Sequence, residues 1–108
     1  MADWVNVASV EEIPPGQYKT IDINDIMVAV FNIEGKFYAI EDVCTHDGGI
    51  LTGGQLSGCT ITCPRHGAQF DVRTGEVLAA PAYEPVATFP VRTHEGMVQV
   101  KDDRWTDS

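Results

Sequence analysis

Residues 44–67 read CTHDGGILTGGQLSGCTITCPRHG, and this stretch decides how the chain is organised. It opens with the motif C-x-H at 44–46 and closes with C-x-x-H at 63–66, with sixteen residues between the two motifs. Each motif delivers one thiol and one imidazole. Thiolate and neutral imidazole are ligands that zinc, copper and iron-sulfur centres use. The two motifs therefore predict one metal centre held by two separate loops.

The spacing of the four residues narrows the choice of metal centre. Structural zinc sites usually pair like with like, as C-x(2–4)-C and H-x(3–5)-H, whereas each loop here carries one residue of each kind. If Cys44 and Cys63 bind one metal ion, His46 and His66 are left to bind a second one. This is the ligation of Rieske [2Fe-2S] centres. A zinc site built from the same four residues stays open as an alternative.

The two loops resemble the cluster-binding loops of the Rieske family. The similarity rests on CTHDGG at 44–49 and CPRHGAQFD at 63–71, and it continues through TGE at 74–76 to a proline loop around Pro81. It covers most of the chain and implies one [2Fe-2S] cluster. The implied ligands are Cys44 and Cys63 on the buried iron, and His46 and His66 on the outer iron.

Length and composition predict one small domain. The chain has 108 residues, of which 44% are hydrophobic, and this is enough to bury a single core. We therefore expect one domain over residues 1–108. No segment approaches the roughly 18 apolar residues that span a bilayer, and residues 1–7 lack the basic and apolar regions of an export signal. We expect a cytoplasmic protein that does not bind membranes.

The charge balance is strongly acidic. Sixteen Asp and Glu residues against seven Lys and Arg residues give a formal net charge of -9. This disfavours nucleic acid and anionic membranes as partners, because both would be repelled. Acidic patches would instead steer the protein onto basic docking faces of redox partners. A solvated acidic surface without a docking role is the alternative.

Hydrophobic patterning predicts strands rather than helices. Residues 17–23 alternate polar and apolar, whereas 26–33 form a nearly unbroken apolar run that a glycine turn joins to 37–40 as a hairpin. Two last strands are predicted at 86–92 and 97–101, and residues 9–16 are predicted as a turn. We expect an all-β antiparallel sandwich or barrel, in which loops over about 43–80 form a smaller cluster-binding lobe. The family resemblance implies the same architecture.

The third cysteine, Cys59, remains after the ligands are assigned. Alternation over 59–63 places Cys59, Ile61 and Cys63 on one face of a strand. We therefore expect a buried strand thiol. A redox role would need exposure and a lowered thiol pKa, and the sequence indicates neither.

Residues near the ligands predict a low reduction potential. High-potential Rieske proteins resemble C-T-H-L-G-C and C-P-C-H-G-S-x-Y, in which serine and tyrosine hydroxyls donate hydrogen bonds to cluster sulfurs. The matching positions here are Ala68 and Phe70, while Gly49 and Arg65 stand where a disulfide would tie the loops together. Without these hydroxyls and this disulfide, we expect the low end of the Rieske range of roughly -150 to +300 mV.

These features favour the soluble Rieske ferredoxins. The resemblance implies a protein that takes one electron at a time from a flavin-containing ferredoxin reductase and passes it to the terminal oxygenase of an aromatic-ring dioxygenase system. We find no further constellation of residues suited to catalysis, so we expect an electron carrier rather than an enzyme. Two alternatives are a tightly bound small Rieske subunit of a nitrite-reductase-like enzyme and a zinc-stapled interaction module.

Overall fold

The computed structural model describes residues 4–23, 25–43, 49–64, 67–80, 82 and 84–101. Within these residues the regular structure consists of antiparallel strands and one turn of 3-10 helix, Val10–Glu12. The strands are β1 Trp4–Ser9, β2 Tyr18–Ile23, β3 Ile26–Ile33, β4 Lys36–Glu41, β5 Leu56–Ser57, β6 Thr60–Thr62, β7 Gln69–Asp71, β8 Val77–Ala79, β9 Thr88–Phe89, β10 Val91–His94 and β11 Met97–Lys101.

Two sheets form the part of the molecule that we call the body. One has the strand order β1-β11-β10 and the other has the order β2-β3-β4-β9. Apolar side chains from both sheets pack into one core, the body core. Its buried members are Ala8, Ile13, Ile23, Val28, Val30, Ala39, Phe89, Val98 and Val100.

The third sheet, with the order β5-β6-β7-β8, forms the cluster-binding lobe together with its connecting segments. Its strands are only two or three residues long. The lobe has a core of its own, the lobe core, to which β3 and β4 also contribute. Its buried members are Ala29, Phe31, Ile40, Leu51, Ile61, Cys63, Ala68, Phe70, Val72, Ala82 and Val86.

Strand β3 forms a wall between the two cores. Val28 and Val30 pack into the body core, whereas Ala29 and Phe31 point the other way into the lobe core. Successive side chains of a strand face opposite sides of the sheet, so a strand covered on both faces reads as a continuous apolar run. This explains the unbroken pattern at 26–33, and the predicted all-β architecture with a smaller lobe is confirmed.

One local prediction was wrong. The single strand expected over 86–92 is two strands, because β9 pairs with β4 in one sheet of the body and β10 pairs with β11 in the other. The chain changes sheets at Pro90, which has no N–H group to donate to a continuous ladder. The turn expected at 9–16 contains the 3-10 turn, whose entry is stabilised by a hydrogen bond from the Ser9 amide to the Glu12 carboxylate (2.9 Å).

Helices long and apolar enough to cross a membrane do not occur among the described residues.

Candidate metal centre

The structure describes one of the four predicted ligands. Cys63 follows β6 and is buried in the lobe core, with 2% of its surface exposed. Cys44, His46 and His66 lie outside the described residues. For this reason the described residues alone contain no group of three His, Cys, Asp or Glu side chains that could hold a metal ion. The four-residue ligand set therefore remains a prediction.

The segment that carries the second motif is a tight connection between β6 and β7. The Cys63 amide donates to the Ala68 carbonyl (2.7 Å), and the Gly67 amide donates back to the Cys63 carbonyl (3.2 Å). Gly67 has a φ of +80°, a conformation that glycine adopts without steric cost. His66 directly precedes this glycine in the sequence. Cys63 and Gly67, which lie on either side of residues 64–66 in the sequence, are thus held by backbone hydrogen bonds.

The segment that carries the first motif starts and ends at one carboxylate. Asp42, which follows β4, is 5% exposed, and its own amide donates to the Met27 carbonyl on β3 (2.8 Å). Its Oδ1 accepts the amides of Leu51 (2.9 Å) and Thr52 (2.8 Å), and its Oδ2 accepts the Thr52 hydroxyl (2.5 Å). Residues 43–50, which include Cys44 and His46, lie between these bonded positions. We name this arrangement the Asp42 clamp.

Sequence reasoning missed the Asp42 clamp. In the sequence, Asp42 is one of three acids around the first motif, with Glu41 before it and Asp47 after it. Of the two acids among them that the structure describes, Glu41 is partly buried and Asp42 is buried, because Asp42 lies where β4 ends against β3. An Asp followed nine and ten residues later by its hydrogen-bond donors gives no local signal. The burial of Asp42, which the sequence does not show, has to be known before the clamp can be inferred.

The chain leaving the first loop packs against the strand entering the second motif. The Thr62 amide donates to the Gln55 carbonyl (2.9 Å). A Cβ atom placed on Gly54 would overlap the Thr62 carbonyl oxygen and would lie 3.1 Å from Cδ of Pro64. Such an overlap does not occur between real atoms, so only glycine permits this approach. The two loops are therefore in direct contact through their flanking backbone.

Ala68 and Phe70 lie beside Cys63 in the lobe core, and both are completely buried. Phe70 also pairs with Ile61 across β6 and β7. Neither side chain carries a hydroxyl group that could donate a hydrogen bond to a cluster sulfur. The surroundings of Cys63 therefore lack the two hydroxyl groups that high-potential Rieske proteins carry in the second motif. The low reduction potential itself remains a prediction.

An ion pair closes the turn that follows β7. Asp71 is buried, and its carboxylate accepts hydrogen bonds from the Arg73 amide (2.8 Å), Nε (3.1 Å) and Nη2 (2.9 Å). The Arg73 side-chain hydrogen bonds lower the pKa of Asp71 below its usual value, although burial opposes this shift. The same contact raises the pKa of Arg73. The pair is thus charged at neutral pH and stabilises the turn.

Cys59 differs from its predicted placement. It lies in the turn between β5 and β6 rather than within a strand, and it is only partly buried against the lobe core. The prediction of a buried strand thiol was therefore wrong about the strand and too strong about burial. Neither Cys59 nor Cys63, the two cysteines that the structure describes, forms a disulfide.

The described residues fit a [2Fe-2S] cluster. A cysteine must be deprotonated to bind a metal, and apolar burial such as that of Cys63 disfavours an isolated thiolate. An iron ion at this position would supply the positive charge that a buried thiolate needs. The position of Cys63 thus fits a thiolate ligand of such a cluster.

Comparisons with known proteins agree with an iron-sulfur cofactor. Residues 3–90 match the family model described as Rieske [2Fe-2S] domain. The chain is 33% identical over 99 residues to the ferredoxin component of naphthalene 1,2-dioxygenase/salicylate 5-hydroxylase systems from Ralstonia sp., covering 92% of this chain and 95% of that protein. It is 38% identical over 90 residues to a biphenyl dioxygenase ferredoxin subunit from Pseudomonas sp., covering 82% and 83% of the two chains.

Solved structures give the same result. The ferredoxin of carbazole 1,9a-dioxygenase from Nocardioides aromaticivorans superimposes with a TM-score of 0.86 at 31% identity, covering 90% of this chain and 95% of that one. A chain from a complex of reduced oxygenase and oxidised ferredoxin in carbazole 1,9a-dioxygenase also gives 0.86, at 36% identity and 90% and 91% coverage. The chain belongs to the Rieske [2Fe-2S] family and carries one Rieske-type cluster.

Proposed function

We propose that this protein is the ferredoxin component of a ring-hydroxylating dioxygenase system. It accepts one electron at a time from a flavin-containing ferredoxin reductase and delivers it to a terminal Rieske non-haem iron oxygenase. The observation that carries the proposal is end-to-end similarity to proteins named as ferredoxin components, with 92% of this chain and 95% of the Ralstonia protein covered. The similarity therefore covers almost the whole of both chains.

The four motif residues are the proposed cluster ligands. Cys44 and Cys63 bind the inner iron, and His46 and His66 bind the outer iron. The support is the buried thiol of Cys63 and the tight connection from Cys63 to Gly67. The cluster supplies a one-electron couple, and with two thiolates instead of four it is less negative and easier to reduce than an all-cysteine cluster.

The role of the chain is to hold the cluster and to present it to partners, so the protein is a carrier and not itself an enzyme. A net charge of -9 favours partners with basic docking faces, since opposite charges raise the rate of association. Nucleic acid and anionic membranes would be repelled. We place the protein in the cytoplasm, together with the flavoprotein reductase from which it accepts electrons.

The experiment combines voltammetry with component replacement. Anaerobic protein-film voltammetry of the purified protein should give a reversible one-electron wave near the low end of the Rieske range. The protein should also restore turnover when it replaces the missing ferredoxin in a naphthalene or biphenyl dioxygenase assay that contains reductase and oxygenase. An assay lacking the reductase is the control.

Three results would contradict the proposal. A wave well above 0 mV would indicate quinol-linked electron transfer. Colourless protein that contains zinc would support the zinc-stapled module. Stable co-purification with a large catalytic partner would support a permanent enzyme subunit instead of a mobile carrier.

A further inference from the structure

We infer that Asp42 is a positioning residue for the cluster, and that the Asp42 clamp together with the Gly54 contact sets the spacing between the two ligand loops. The inference rests on the proposed ligand assignment, because it concerns the placement of Cys44 relative to Cys63. It assigns a function to a buried acid outside both motifs.

Burial of the Asp42 carboxylate costs free energy. A buried carboxylate loses hydration, and this loss is offset only when hydrogen bonds satisfy its oxygens. Asp42 accepts three such bonds, two from backbone amides and one from the Thr52 hydroxyl. Hydrogen bonds to a charged acceptor are roughly twice as strong as neutral ones. The two ends of segment 43–50 are therefore fixed to each other.

The base of the clamp is anchored to the body. The Asp42 amide donates to the Met27 carbonyl, and the Glu41 amide donates to the Ala87 carbonyl (2.9 Å). Leu51, one of the two donors to the carboxylate, is completely buried in the lobe core. The two ends of the first loop are thus attached to β3 and to the lobe core.

A short chain of contacts extends from the clamp to the second motif. The Gly54 amide donates to the Leu51 carbonyl (3.1 Å), and the next residue, Gln55, accepts the Thr62 amide (2.9 Å). Thr62 precedes Cys63. Because each step is a hydrogen bond or a close backbone contact, displacement of Leu51 and Thr52 is transmitted to the backbone beside Cys63. The spacing of the two ligand loops follows from this series.

The test uses the full-length protein with its cluster bound and the variants Asp42→Ala, Asp42→Asn and Thr52→Val. Asp42→Ala leaves the buried amide of Leu51 and the partly buried amide of Thr52 without their acceptor, so we expect cluster loss into an iron chelator to accelerate on the order of 10- to 100-fold. Asp42→Asn keeps one acceptor oxygen and a group that can donate to Thr52, so we expect a change within about threefold. Thr52→Val removes one bond, with an effect near threefold.

A second readout separates positioning from general stability. The electron paramagnetic resonance spectrum of the reduced cluster reports ligand geometry, so cluster that remains in Asp42→Ala should give a broadened and shifted spectrum. Asp42→Asn should restore the wild-type line shape. Asp22→Ala is the matched control, because this exposed Asp also accepts a backbone amide (Asp25, 3.1 Å) in a turn, but in the body.

The outcomes distinguish failure of this inference from failure of the assignments beneath it. An unchanged loss rate and an unchanged spectrum in Asp42→Ala would overturn the positioning role. If Asp42→Ala does not fold, the other two variants test the inference. A wild-type rate of cluster loss in Thr52→Val, together with a large change in that rate in Asp42→Asn, would then overturn the positioning role. Failure of the ligand assignment would appear separately, as a wild-type spectrum in Cys44→Ser. Failure of the carrier function would appear only in the oxygenase assay.

Discussion

The body and the cluster-binding lobe share β3 as a common wall, yet they are stabilised in different ways. Longer strands, of six residues in β2 and β4 and eight in β3, give the body continuous ladders of paired backbone groups. The strands of the lobe have two or three residues, and the carboxylates of Asp42 and Asp71 accept backbone amides in the segments outside these strands. The comparison teaches that the lobe depends on a few particular contacts, whereas the body depends on many equivalent ones.

The largest effect should come from truncating buried side chains on the two faces of β3, one face at a time. Phe31→Ala removes a buried ring from the lobe core and should cost about 3–5 kcal/mol, whereas Val30→Ala removes a smaller side chain from the body core. We expect Phe31→Ala to release the cluster at a temperature well below the unfolding of the body. Thermal melts followed at cluster absorbance and by far-ultraviolet circular dichroism separate the two events. Coincident transitions in both variants would contradict the division into two cores.

Gly54→Ala tests the close backbone approach between the two ligand loops. The added methyl group would overlap the Thr62 carbonyl oxygen, so one strand has to move, at a cost of roughly 1–3 kcal/mol. We expect low iron content and unchanged strand signals from the body. Gly53→Ala is the control, because Gly53 has a φ of +102° but open space at its Cβ position, so it reports backbone strain without overlap. Equal iron content in the two variants would remove the argument from close approach.

Hydroxyl groups introduced beside Cys63 test the predicted low potential. Ala68→Ser and Phe70→Tyr should raise the reduction potential, since a donated hydrogen bond stabilises the reduced cluster by about 1 kcal/mol. One electron corresponds to about 59 mV per factor of ten, so we expect shifts of tens of millivolts. His66→Cys should lower the potential by adding thiolate charge. Voltammetry measures all three, and unchanged potentials would contradict the electrostatic explanation.

The smallest effect is a pH dependence from the ion pair of the lobe. Because Arg73 lowers the pKa of Asp71 in the folded protein, the pair adds stability that is fully present above the unfolded Asp pKa of about 3.9. This stability is lost as pH falls through the lower folded-state pKa. Wild type should therefore exceed Asp71→Asn in melting temperature by a constant amount above about pH 5, and the difference should narrow below about pH 4. A constant difference down to pH 3 would exclude the pair as its source.

Much of the fold followed from local patterns. The hairpin of β3 and β4 with glycine in its turn was predicted, as were the strands at 17–23 and 97–101. The change of sheet at Pro90 was not predicted. An apolar segment can pair in either sheet, and the sequence does not show which strands each sheet contains. Cys59 was misplaced for a similar reason, because two-residue alternation cannot tell the last residue of a turn from the first residue of a strand. Short elements give too few residues for a periodic signal.

The sequence predicted the chemistry of this protein, because two thiols and two imidazoles in paired motifs are a local property of residues 44–46 and 63–66. It also determined that the chain forms strands. The packing of the sheets was needed to find that β3 is covered on two faces, that Gly54 meets the Thr62 carbonyl, and that Asp42 accepts the Leu51 amide. The physical reason is that burial and hydrogen bonding between distant residues depend on how whole sheets pack, which no single stretch of sequence encodes.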